Sequence, residues 1–259
     1  MPIVCPLFSG SSGNCIFVRS EKSCFLIDAG RSCKQIKGYI SGNGFNPNDV
    51  KFILVTHEHI DHVKGLEVFA RYHRTKVLSS KGTIEFLERR GILNSKIDYC
   101  PIDLSGTKIN GIKVVPFDIS HDCIQGFGYS IFLENNIKLS ICSDIGYISD
   151  SVFESLKGSN VLIIESNHDI EMLKNGPYPR FLKERILSDK GHLSNFECCK
   201  VLKDLIKTGL KKIILCHLSE INNTPEIAYN SAFSAIDKSS DCEIYVAPKD
   251  NTSNLQIVI

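Results

Sequence analysis

Three histidines and an aspartate fall within six positions, His57-Glu58-His59-Ile60-Asp61-His62, directly after the apolar run Phe52-Ile53-Leu54-Val55. A short run of this kind reads as a buried strand, so the polar groups sit where a strand ends. His57 and His59 are two apart, and in an extended segment both imidazoles project to one side and can bind one cation. Asp61 and His62 begin a helix, where neighbours diverge by about a third of a turn. That divergence suits them to a second cation beside the first. A lone histidine is ordinarily a hydrogen-bonding or core residue. Four ligand-type groups at this spacing, in a chain with only eight histidines, point instead to a metal site.

A chain of 259 residues can bury a large core, and a single α/β domain spanning 1–259 is expected. No low-complexity tract or long Pro/Gly/Ser-rich linker divides it. A net charge of +1 excludes a strongly basic nucleic-acid binder, although an enzyme can hold a polyanion through a local patch and its metal ions. Eleven cysteines, an odd number without paired CxxC spacing, read as small buried hydrophobes in a reducing compartment. The N-terminus lacks a basic start followed by a long apolar segment, and no window has the length of a membrane span. A cytoplasmic protein with no membrane partner is expected.

Three short apolar runs, 3–8, 15–18 and 24–27, predict an opening β-meander, followed by a helix over 32–40. After the metal strand, a helix over 63–73 turns Leu66, Phe69 and Ala70 inward, with Arg71 and Arg74 on a solvated face. His73, outside any motif, is ordinary. A strand over 76–79, a helix over 82–90 and several short strands over 97–117 follow. Strands over 126–133 and 137–142 flank Glu134-Asn135-Asn136 as a hairpin. Helices over 150–156, 179–187 and 195–208 then alternate with strands 161–164 and 212–216. A helix over 225–236 and strands over 243–246 and 255–258 close the chain. Lys200, Lys203, Lys207 and Lys211 form a lysine stripe that reads as a wet helix face.

Four donors in one loop do not complete two metal sites, so distant residues must finish them. His121, Asp144 and His217 are the candidates, each lying at or just beyond a predicted strand end. The loop Ser9-Gly10-Ser11-Ser12-Gly13-Asn14 is either a flexible turn or an anion nest, with Ser9, Ser11, Ser12 and Asn14 available to a phosphate. Ser219, Asn222 and Asn223 after His217 allow the same two readings, a phosphate-holding loop or a plain turn before Pro225.

The motif His57-x-His59-x-Asp61-His62 resembles the signature of the metallo-β-lactamase superfamily, and the resemblance runs the length of the chain. More narrowly, the chain resembles the YycJ/WalJ group, single-domain relatives of the RNase Z type nucleases. Its supporting segments are 7–15, Phe25-Leu26-Ile27-Asp28-Ala29-Gly30, Ser120-His121-Asp122, Glu165-Ser166-Asn167-His168-Asp169, Gly191-His192-Leu193-Ser194-Asn195 and 217–223. The resemblance implies a four-layer αββα sandwich. It assigns His57, His59 and His121 to one metal, Asp61, His62 and His217 to the other, and Asp144 as the bridge, with Asp28 buttressing the histidine loop. Asp61 could also receive a proton from the nucleophile. The resemblance further places His192 near the leaving oxygen as general acid, oriented by a carboxylate for which Glu165 is the best candidate. A helix-capping or core histidine is the plainer reading of His192, and His168 could line the same pocket.

Several departures narrow the substrate. The third motif leads into Gly126-Phe127-Gly128-Tyr129, a nuclease-like pattern, rather than the Gly-His-Thr/Ser of thioesterase and lactonase relatives. His59 stands where flavodiiron relatives have glutamate. The 73 positions between Asp144 and His217 are too few for the large inserted domain of the RNase J type. Gly176-Pro177-Tyr178-Pro179 is too short for the RNase Z arm. The resemblance therefore implies a 5′ to 3′ DNA exonuclease using two divalent ions, with zinc or manganese suited to the donors and iron also compatible. The alternatives are an RNA-processing nuclease, a hydrolase of a small substrate (cyclic nucleotide, phosphorylated metabolite or acyl ester), and a noncatalytic metal-stabilised module. A basic track through Arg180, Lys183 and Arg185 would favour a polymer.

Overall fold

The computed structural model describes residues 1–236 and 241–259. The chain opens with β1 (Ile3–Phe8), β2 (Cys15–Arg19) and β3 (Cys24–Ile27), paired antiparallel in that order. After α1 (Cys33–Gly42), β4 (Val50–Leu54) joins β3 in parallel. Then α2 (Ile60–Val63), α3 (Leu66–His73), β5 (Lys76–Ser79), α4 (Lys81–Arg89) and β6 (Tyr99–Pro101) continue the parallel edge. The second half begins as an antiparallel set: β7 (Thr107–Ile109), β8 (Ile112–Asp118), β9 (Phe127–Phe132) and β10 (Lys138–Cys142). It turns parallel through α5 (Asp150–Leu156), β11 (Val161–Glu165), α6 (Ile170–Asn175), α7 (Arg180–Ile186), α8 (Asn195–Leu205), β12 (Lys212–Cys216), α9 (Pro225–Ala235) and β13 (Glu243–Val246). The final strand, β14 (Ile257–Val258), returns to pair with β1.

Two seven-stranded sheets result, ordered β14-β1-β2-β3-β4-β5-β6 and β13-β12-β11-β10-β9-β8-β7. Their strands are nearly continuous apolar runs because both faces are covered. Phe52 and Leu54 of β4 face the layer between the sheets, with Tyr129, Ile141, Ile163 and Ile214 from the other sheet. Ile53 points the opposite way, onto Ile36, Ile40, Phe69 and Leu87 of α1, α3 and α4. On the second sheet Leu162 and Leu215 face Val152, Leu202 and Ala228 of α5, α8 and α9 in the same manner. This is the αββα sandwich that the sequence resemblance implies.

Boundaries differ from expectation where tertiary contacts intervene. The helix expected over 63–73 is two helices broken at Gly65, where a Cβ would lie 2.1 Å from the Arg31 carbonyl oxygen. The helix expected to Thr208 leaves α-geometry after Leu205 and ends in a tight turn before Gly209, whose φ is 106°. The short α6, capped by Asp169, carries too few residues to give a periodic signal. The last strand begins only at Ile257, because the Asn251 side chain takes the Leu255 amide. Lys200 and Lys207 pair with Glu197 and Asp204, as a solvated face should. Among the described residues, no helix is long and apolar enough to cross a membrane.

Candidate metal centre

The parallel strands β10, β11 and β12 run in one direction, so the residues at their C-terminal ends meet at one edge of the sheet. Asp144 lies two residues beyond β10, Glu165 ends β11 and His217 directly follows β12. The loop after β4 enters the same edge carrying His57 and His59, and α2 then presents Asp61 and His62. His121 arrives from the loop after β8.

Donor atoms of His57, His59 and His121 lie within 4.8 Å of one another, as do those of Asp61, His62 and His217. Asp144 stands between the two sets. Its Oδ1 is 3.5 Å from His217 Nε2 and 4.0 Å from His121 Nε2, while its Oδ2 is 3.3 Å from His62 Nε2. The protein occupies the other ring nitrogen of four of these histidines. His62 Nδ1 lies 2.8 Å from Asp28 Oδ2, His217 Nδ1 2.8 Å from Glu165 Oε1, His121 Nδ1 3.2 Å from the Gly191 carbonyl and His57 Nδ1 3.1 Å from Thr56 Oγ1. An Nδ1 facing a carboxylate or carbonyl carries the proton, which leaves the Nε2 lone pair directed at the centre.

These residues fit a pair of divalent cations. His57 Nε2 and His217 Nε2 are buried without any hydrogen-bond partner, a costly state for a polar atom unless something else binds there. Imidazole and carboxylate donors in two adjacent sets suit divalent metals, without choosing among zinc, manganese and iron. The buried carboxylates of Asp28, Asp144 and Glu165 raise His62 and His217 against the cost of burial, placing positive charge where a bound cation would supply it. Burial pushes the His57 imidazole toward its neutral, ligating form. Burial works against ionised Asp61 and Asp144, but the surrounding histidines prevail and hold both carboxyls well below the usual range.

Glu165 is wholly buried, and its two oxygens are fully engaged. Oε1 meets both His217 Nδ1 and His192 Nδ1 at 2.8 Å, while Oε2 accepts the Ile145 and Leu193 amides at 2.9 and 3.1 Å. Against the cost of burial, these partners, His192 foremost, lower the carboxyl to about 2. His192 is raised in turn: burial opposes its charge, and Glu165 outweighs that. Its side chain remains 17% exposed at the edge of the donor sets.

The other expected contacts divide by position. Ser9 Oγ accepts the His217 amide at 2.8 Å, and Ser12 Oγ accepts from Arg31 Nη2 at 2.9 Å. Ser11 is exposed at the loop tip. Asn14 lies at the centre itself, with Nδ2 3.3 Å from Asp61 Oδ2 and 3.0 Å from His62 Nε2. Ser219 Oγ takes the Asn222 amide. Asn222 and Asn223 are buried, and the Asn223 side chain binds the Ser166 and Asn167 carbonyls and Asn195, so it fastens the loop rather than facing solvent. His168 is buried outside both donor sets, with burial lowering it to about 4 and its Nε2 unpartnered.

Two participants escaped the sequence reading. Asp122 Oδ1 approaches His121 Nε2 at 3.2 Å, and Asn167 Nδ2 donates to the His217 carbonyl at 2.8 Å. Both lie inside segments quoted for the family resemblance, Asp122 next to His121 and Asn167 two residues after Glu165, but nothing in residue type or spacing set them apart.

The family model described as a beta-lactamase superfamily domain matches residues 24–218. Among curated proteins, the chain is 40% identical over 234 residues to the exodeoxyribonuclease YycJ of Bacillus anthracis, covering 90% of this chain and 88% of that one. It is 36% identical over 227 residues to the exodeoxyribonuclease WalJ of Streptococcus pneumoniae, covering 86% and 84%. The metallo-beta-lactamase fold protein YhfI from Bacillus subtilis superposes with a TM-score of 0.75 over 99% of this chain and 98% of its own, at 13% identity, a likeness of fold alone. Matched family, shared sandwich and clustered donors lead to one assignment: the chain is a metal-dependent hydrolase of the metallo-β-lactamase superfamily, in the group to which YycJ and WalJ belong.

Proposed function

We propose that the chain is a dinuclear phosphodiesterase that degrades DNA from its 5′ end. The observation that carries this reading is the single Glu165 carboxylate holding two imidazoles, one in a donor set and the other, His192, at its accessible edge. The relatives named exodeoxyribonucleases support DNA as the substrate class. His57, His59 and His121 would hold one cation, Asp61, His62 and His217 the other, and Asp144 would reach both. Bound there, the cations, Zn2+ or Mn2+ with Fe2+ also suited, supply Lewis acidity and a water acidic enough to attack at neutral pH.

The protein's own groups do the rest. Glu165 fixes the proton of His192 on Nδ1, so Nε2 is the atom that holds and delivers a proton to the departing oxygen. Asp61, 21% exposed, receives a proton from the attacking side, its carboxylate oriented by the Asn14 amide. The exposed Ser11 and the half-buried Ser12 and Ser219 would make the phosphate contacts, while Ser9 acts by fixing the backbone of His217. The buried thiols of Cys15, Cys142, Cys198 and Cys216 suit a reducing, cytoplasmic setting.

The test is cleavage of end-labelled DNA and RNA with added manganese or zinc. Stepwise loss from the 5′ end of DNA is expected. His192→Ala should lower kcat by about 10²- to 10⁴-fold with bound metal retained, and His59→Ala should lose metal and activity together. Turnover of a small phosphodiester with no cleavage of any polymer would overturn the reading.

A further inference from the structure

The short α7 is tied to the candidate centre by both of its neighbours. His192 N donates to the Ile186 carbonyl at 3.0 Å, and a Cβ on Gly191 would lie 2.2 Å from that same oxygen, so the end of the helix and the His192 loop are pressed together. Arg185 Nε donates to Asp122 Oδ2 at 2.7 Å, and the other oxygen of Asp122 is the one beside His121 Nε2. The guanidinium therefore stands one carboxylate away from a metal-donor set, with its side chain still 53% exposed.

One turn earlier, Phe181 is 72% exposed. Residues four apart share a helix face, so Phe181 lies on the face that Arg185 presents toward the centre. The helix also carries Arg180 and Lys183 against the one Glu184, three cations and one anion for a net +2 in seven residues. Arg180 pairs with Glu184 one turn on, and the Lys183 ammonium donates to the Lys174 carbonyl at 2.7 Å.

An exposed aromatic ring among cations, on a helix continuous with a hydrolytic centre, matches the chemistry of unpaired nucleic-acid strands. Every base has a face that can stack, and every linkage has a phosphate that a guanidinium can hold. A duplex end would offer the phosphates but only the outer face of its terminal pair, whereas every base of an unpaired strand is open to stacking. Resting on the exonuclease reading above, we propose that α7 is a strand-binding arm for single-stranded DNA. Phe181 stacks on a base near the end being cut, and Arg185 holds the adjoining phosphate, exchanging part of its bond to Asp122 for it.

The chain contains no tryptophan, so Phe181→Trp creates a single reporter that can still stack. Titrating this metal-loaded variant with a phosphorothioate oligothymidylate, which is cut slowly, should quench its emission, and the variant should keep a near-wild-type KM for single-stranded DNA. Phe181→Ala and Arg185→Ala should each raise that KM about tenfold. Arg185→Ala should also flatten the dependence of log affinity on log salt by about one unit. Unchanged melting temperatures would show that these exposed positions leave the fold intact. Unquenched emission from the Phe181→Trp variant with unaltered KM in both alanine variants, while the wild type still degrades DNA, would overturn the arm and leave the exonuclease reading standing. Quenching in a protein that cuts no DNA would sustain the arm and remove that reading.

Discussion

Asp28, Asp144 and His217 each adopt a positive φ, 61°, 54° and 55°, directly after or close behind a strand. For non-glycine residues that conformation costs on the order of 1–3 kcal/mol and persists only where surroundings enforce it. All three lie in or against the donor sets, whereas the other non-glycine residues of positive φ among those described are four asparagines and Arg74 at the end of α3. Asp28 shows what enforces it: its oxygens accept the Thr56 amide and hydroxyl at 2.8 and 2.9 Å and meet His62 Nδ1 at 2.8 Å. Asp28→Asn tolerates the backbone but offers one acceptor oxygen where three partners need two. Metal affinity should fall about 10- to 100-fold in a chelator competition, with little change in secondary structure by circular dichroism. Unaltered affinity would show that Asp28 shapes the loop without orienting His62. At this scale the sequence exposed the candidate donors, since histidine and aspartate are recognisable as ligand types. It could not expose the φ values, nor that Glu165 serves two histidines.

At the scale of elements, α2 is a four-residue helix, far too short to stand alone, and its place is set by backbone hydrogen bonds from two other segments. Asn14 N donates to the Asp61 carbonyl at 2.7 Å, Ala29 N to that of His62 at 2.8 Å, and Gly65 N returns to the Ala29 carbonyl at 2.8 Å. Gly30 permits this approach, because a Cβ there would lie 1.7 Å from the Asp61 oxygen. Gly30→Ala must push α2 away. It should lower stability by about 3 kcal/mol in urea unfolding and reduce bound metal at the same time. Full metal content in a stable variant would show that α2 has slack the structure does not suggest. The helix break at Gly65 has the same origin. Apolar periodicity over 63–73 continues through it, and only the neighbouring segment makes the break necessary.

For the whole molecule, the decisive feature is that the donors come from both sheets. His57, His59, Asp61 and His62 follow β4 of the first, whereas His121, Asp144 and His217 follow β8, β10 and β12 of the second. Bound cations would therefore fasten the two halves of the sandwich together. Removing metal with a chelator should lower the melting temperature, and restoring it at about 100 times its Kd should return about 2.7 kcal/mol. An identical melting temperature with and without chelator would show that the donors bind no metal strongly. The sequence by itself determined most strands, because runs covered on both faces are largely apolar, while the four-layer order was implied by the family resemblance. It also named the side chains that gather at the candidate centre, because histidines and aspartates at strand ends are visible as residue types. Only the tertiary structure decided which distant residues meet. The Asp122–Arg185 pair joins positions 63 apart, and the Glu165–His217 pair positions 52 apart. Such pairings leave no local periodicity in the sequence, since they depend on how the strands are ordered in the sheets and not on any neighbour along the chain.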